Sequence, residues 1–151
     1  MRYGVCGVPF HDLHHVWPDA WRYLRRAVDR FPNVPSKYNE GDILRELFAR
    51  EMQLWIGWDA VEQRPCGALI TEITKEEKHP DKVFLSIPLV GADNWNAWGD
   101  ALWSILKEWG VAHGCTHALG YGRRGWTRLY GFVDCGTTDG GLPMFVRKLK
   151  R

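Results

Sequence analysis

VFLSIPLVGADNWNAWGDALWSILKEWGVAHGCTHALGYGRRGWTRLYGF, residues 83–132, decides the fold. It opens on an apolar, β-branched run, 83–90, closed by Gly91. Trp95, Trp98, Leu102, Ile105 and Trp109 then recur at spacings of three and four, the signature of one buried helix face. A second strand-like run, THALGYG, follows at 116–122, and a short helix ends at Gly131-Phe132.

The rest of the chain extends that unit. Residues 3–9 read as a short strand ending at Pro9, and 10–31 as a long amphipathic helix that Pro18 either divides or restarts. FPNVPSKYNEG is a loop, and 42–50 a second helix with Ile43, Leu44, Leu47 and Phe48 on its apolar side. MQLWIGWDA, VEQRP and CGALITEIT form a hairpin, KEEKHPDK a charged turn, and 135–150 two strands joined around Asp139-Gly140-Gly141. The order β, α, α, β, β, β, α, β, α, β, β gives an α/β (α+β) chain, with a mixed sheet flanked by helices in one domain, 1–151.

Composition narrows the function. A hydrophobic content of 45%, a charged content of 25% and a net charge of +2 describe an ordinary globular protein. The basic residues are scattered except for Arg147, Lys148, Lys150 and Arg151, which read as a solvated tail; nucleic acid is not an expected partner. No apolar run approaches a membrane span, and the first residues lack a secretory pattern. Cys6, Cys66, Cys115 and Cys135 are too dispersed for a metal or redox motif and are expected as free thiols.

The element order, with hairpins before the Trp-rich helix and Gly131-Phe132 after the short one, resembles the GNAT superfamily, the Gcn5-related N-acetyltransferases. That resemblance covers essentially the whole chain. It implies a mostly antiparallel central sheet and an N-acyltransferase moving an acetyl group from acetyl-CoA to an amine. The coenzyme would lie between the strands at 83–90 and 116–121, its pyrophosphate on the amides entering the following helix. The corresponding cofactor-binding residues are Leu89, Val90, Gly91, Ala92, Asp93, Asn94 and Trp95. Against the family's loop pattern this segment is degenerate: it has one glycine and no basic residue, and Asp93 and Asn94 read as caps satisfying the helix amides themselves. The GRxGW segment also resembles GNAT-like proteins of tailed bacteriophages. That likeness implies the alternative of a catalytically inactive binding or structural protein, such as a virion or assembly component. The expected location is cytoplasmic, or virion-associated if the origin is a phage.

No catalytic residue is assigned by motif. The family's acid tyrosine would stand four residues before Gly131, where Thr127 is found; Tyr130 and Tyr121 are the tyrosines nearby. Glu72 and His117 are the titratable groups available as a base, Glu72 reading equally as a solvent-facing strand carboxylate and His117 as a hydrogen-bonded edge residue. Arg123 and Arg124 either meet a phosphate or are simply solvated. His11, His14 and His15 cluster without a third ligand of clear spacing, and no metal is expected. Nine tryptophans serve mainly as core, with any exposed surplus available to a protein partner; Trp55 and Trp58 must point to opposite faces of their strand.

Overall fold

The computed structural model describes residues 2–30, 39–122, 131–138 and 141–149. In chain order these form β1 (Tyr3–Gly7), a 3₁₀ turn (Phe10–Asp12), α1 (Leu13–Arg30), α2 (Glu40–Phe48), β2 (Gln53–Asp59), β3 (Arg64–Lys75) and β4 (Val83–Ala92). Then follow α3 (Trp95–Ala112), β5 (His117–Tyr121), β6 (Val133–Thr137) and β7 (Pro143–Lys148). The short helix before Gly131, with Arg123, Arg124, Thr127 and Tyr130, lies outside the described residues, as do most of the 31–41 loop, the turn at 139–140 and the last two basic residues.

Among the described residues seven strands form one sheet in the order β1-β2-β3-β4-β5-β7-β6. Neighbouring strands are antiparallel except β4 and β5, which run parallel because α3 crosses between them. Alternation along each strand sorts side chains into two cores. Leu54, Ile56, Ala68 and Ile70 face α1 and α2, whereas Trp55 and Leu69 face α3. Pro18 does not divide α1: the helix runs through it, lacking only the bond that its missing N–H would make to the His14 carbonyl. The second helix begins two residues earlier than its sequence pattern suggests, because the Asn39 side chain caps it by accepting from the Asp42 N–H at 2.9 Å.

Two close approaches lock the helices onto the sheet. The fully buried Trp98 indole lies against Gly57 and Gly67, where a Cβ on Gly57 would come within 2.9 Å of the ring and one on Gly67 would overlap it. On the opposite face the backbone carbonyl of Tyr23 stands where a Cβ on Gly91 would be. Both contacts need glycine for space, since a side chain would push a helix off the sheet. Gly91→Ala is therefore expected to cost about 3 kcal/mol or more, the upper range for overpacking. Gly4→Ala, in open space, should stay within about 1 kcal/mol of wild type. Urea unfolding of both variants checks the contrast.

Candidate active site

The parallel pairing of β4 and β5 is short. It runs from Phe84 opposite His117 to Ile87 opposite Gly120 and then stops, although β4 continues to Ala92. The register between β3 and β4 shifts at the same level, with Ile70 opposite Leu89 but Glu72 opposite Ser86. Thr71 thus faces two residues, Ile87 and Pro88, which is a β-bulge in β4. Its effect shows in the side chains: Leu85 and Ile87 belong to the α3 core, while Leu89, also odd-numbered, belongs to the α1 core. Pro88 has no N–H to give to a ladder, so it suits the point where the strands part.

Beyond the bulge the backbone of β4 has two sides. The Asp93 N–H donates to the Cys66 carbonyl at 2.8 Å, making that a hydrogen-bonded pair. By alternation Gly91 and Leu89 also spend their backbone groups on β3, and those of Val90 and Ala92 point away from it. That is the side where β5 has ceased to pair, so among the described residues the two strands form a fork edged by backbone donors and acceptors.

Tyr121 is the first β5 residue past the fork. Its hydroxyl shares a hydrogen bond with Ser86, and burial pushes it above the usual tyrosine value, with the Glu72 charge adding to the rise. Glu72 stands opposite Ser86 in the β3–β4 register, and Thr74 Oγ1 lies 3.4 Å from Ser86 Oγ. Glu72, Ser86 and Tyr121 therefore gather on the sheet face that carries α1 and α2, at the mouth of the fork.

At the other end of the fork the structure corrects the sequence reading. Gly91 and Ala92 continue β4 rather than forming loop, and only Asp93 and Asn94 separate it from α3. Leu89 is buried under α1, and Gly91 serves the close approach of Tyr23. Neither expected cap is one. Asn94 takes a left-handed backbone (φ 51°) and its side chain makes no capping hydrogen bond. Asp93 turns its carboxylate to α1, where Arg26 Nη1 donates to Oδ1 at 2.8 Å and the Tyr23 hydroxyl lies 2.9 Å from Oδ2. The Arg26 guanidinium holds Asp93 below the ordinary carboxylate range, the Tyr23 hydroxyl helping against partial burial. The Asp93 charge is thus offset by a basic residue of α1. Trp95 opens α3 and packs edge-on against Trp98, whose indole N–H donates to the Asp93 carbonyl at 3.0 Å.

No protein-family model matches the sequence, and neither does any curated protein. Solved structures do match. A GNAT-family acetyltransferase from Listeria monocytogenes superposes with a TM-score of 0.65 at 12% identity, over 97% of this chain and 95% of that one. The N-acyl amino acid synthase FeeM from uncultured soil microbes gives 0.69 at 9% identity over 98% and 90%. The PaiA N-acetyltransferase from Thermoplasma acidophilum, in complex with coenzyme A, gives 0.61 at 15% identity over 98% and 99%. The fold is a GNAT fold.

Within the GNAT frame the other candidates fall away from the fork. His117 is four residues from Tyr121, about 13 Å along the strand. It is not an edge residue, since β5 lies between β4 and β7. Its Nδ1 is 2.7 Å from Thr116 Oγ1, and burial followed by Lys82 and Lys148 lowers its affinity for a proton. His14 and His15 stack on each other, and among the described residues no group of three His, Cys, Asp or Glu is placed to hold a metal ion. The four cysteines are unpaired. Most described tryptophans enter the cores; Trp58 is the exposed one, opposite in facing to the buried Trp55. No helix among the described residues is long and apolar enough to cross a membrane. Sequence reasoning missed Ser86, the bulge and the Tyr23–Arg26 clamp. Pro88 inside a strand-like run was the available signal for the bulge; nothing local links Arg26 to Asp93, 67 residues away.

The clamp has a pH signature. A carboxyl held low in the folded state stabilises fully above its unfolded value, near 3.8, and that stability is lost as pH falls through the lower folded value. The Arg26–Asp93 pair is about half exposed, so screening limits it to about 1 kcal/mol or less. Asp93→Asn should be less stable than wild type at pH 7 and converge with it as pH falls below 3.8 through the lower folded value, as read from urea unfolding across pH.

Proposed function

We propose that the protein is an N-acyltransferase that takes an acyl group, acetyl in the simplest case, from acyl-CoA to an amine. The observation that carries this reading is the fork: a bulged β4 parts from β5 with its Val90 and Ala92 backbone groups turned into the gap. An extended chain bearing amides, such as a pantetheine arm, is the kind of ligand that adds to such an edge. The first turn of α3 lacks a side-chain cap from Asn94, and Arg26 offsets the Asp93 charge, so an anionic pyrophosphate fits at that helix N-terminus. Leu89, Gly91 and Trp95 shape this segment rather than present donors.

Bound acyl-CoA supplies an activated thioester. The chain's own groups do the proton work. Tyr121 keeps its proton at neutral pH and can deliver it at the fork to a departing thiolate, the role of a general acid. Glu72, on the same face, is the group to receive the proton of an incoming ammonium through water, leaving a neutral amine to attack. Ser86 orients the Tyr121 hydroxyl.

Calorimetry with acetyl-CoA tests the reading, with binding in the micromolar range expected. Neither heat nor thermal stabilisation at millimolar ligand would overturn it and leave the non-catalytic scaffold, a GNAT fold used for assembly as in a phage particle. Tyr121→Phe should bind acetyl-CoA like wild type yet lower kcat about 100-fold on a panel of amino acids and polyamines. Wild-type kcat should hold up to pH 10.0 and fall only above it, because the folded hydroxyl titrates above that ordinary value.

A further inference from the structure

A cavity of about 480 Å³ opens on the other side of β3 from the fork. It lies where β1 ends at Gly7 and leaves the start of β2 as the sheet edge. Its walls are apolar and aromatic, with Phe10, Met52, Trp55 and Trp109 prominent. Its size is that of a small-molecule site. Among the described residues, Arg50, Gln53 and His113 are the polar side chains that line it, and no acidic residue does.

Each polar group is set by its surroundings. The Trp55 indole N–H donates to Thr71 Oγ1 at 2.9 Å, and the Thr71 hydroxyl must then give its own proton to Gln53 Oε1, also 2.9 Å away. That relay fixes the Gln53 amide with its NH₂ turned away from Thr71, leaving donors to offer. His113 Nδ1 lies 2.8 Å from the Trp109 carbonyl, which can only accept, so the ring is held flat on Trp109 as the Nδ1–H tautomer. Arg50 adopts a left-handed backbone (φ 62°) at the turn from α2 to β2, a conformation that an arginine takes only against strain. The strained turn lays its guanidinium over the Phe10 ring at 4.8 Å, and Arg50 forms no ion pair among the described residues. A guanidinium with no ion pair and fixed amide donors, in an aromatic-walled cavity with no carboxylate among the described residues, complement an anion with an apolar body.

We propose that this cavity is a second binding site, for a small carboxylate with an aromatic or branched apolar body, whose charge is read by Arg50. The site does not depend on acyl-CoA binding at the fork. The test is calorimetric titration of the full chain with 3-phenylpropanoate and 2-naphthoate, each against its neutral carboxamide. A carboxylate should saturate at submillimolar concentration and bind about tenfold tighter than its amide, the gain expected of a charge-assisted pair. Arg50→Met should abolish that preference. Arg50→Gly, which relieves the left-handed strain and so should unfold no earlier than wild type, should abolish it as well. No saturation up to about 10 mM, equal affinity for acid and amide, or a preference surviving in the folded Arg50→Gly protein would overturn the proposal.

Discussion

Opposite Thr71, β4 places two residues where a regular strand has one. The side-chain parity of the strand reverses there, so Leu85 and Ile87 fill the α3 core while Leu89 fills the α1 core. The ladder to β5 ends there too. One added residue thus lets a single strand serve both cores of the molecule and still open an edge toward its parallel neighbour. Without it, β4 and β5 would have no local reason to separate.

The opening is held from both faces of the sheet. On one side Trp98 presses onto Gly57 and Gly67 and ties its indole to the Asp93 carbonyl, which fixes where α3 begins. On the other, Tyr23 and Arg26 of α1 take the two oxygens of the Asp93 carboxylate, and the Tyr23 backbone abuts Gly91. Burial contributes most of the energy, since a fully buried aromatic side chain is worth about 2–3 kcal/mol while the half-exposed ion pair is worth less than one. The ion pair matters more for charge: it turns a carboxylate that would repel an anion into part of a neutral cluster.

Much of the fold was legible because it rests on periodicity. The Trp-rich helix, the hairpin pairs and the crossover follow from spacings of two and from spacings of three and four, and the element order led to a GNAT-like sheet that the solved structures share. The site was legible only in its neighbourhood. Asp93 and Asn94 have the residue types of caps, but a cap is a contest among partners, and Arg26 and the buried Tyr23 win Asp93 from α1. Glu72 and Tyr121 look unrelated in sequence; they meet because the register sets Glu72 across from Ser86 and Tyr121 bonds to it. Such pairings are decided by sheet register, which no local pattern of residues encodes.

The central proposal is that an extended, amide-bearing ligand adds to β4 beyond Ile87, along the side that no described strand pairs. Backbone amide NMR with acetyl-CoA added stepwise tests it most directly. The Val90 and Ala92 amides should shift and gain exchange protection, while Leu89 and Gly91, already bonded to β3, change little. Unchanged Val90 and Ala92 signals at saturating coenzyme, or shifts confined to residues away from β4 and the start of α3, would contradict it.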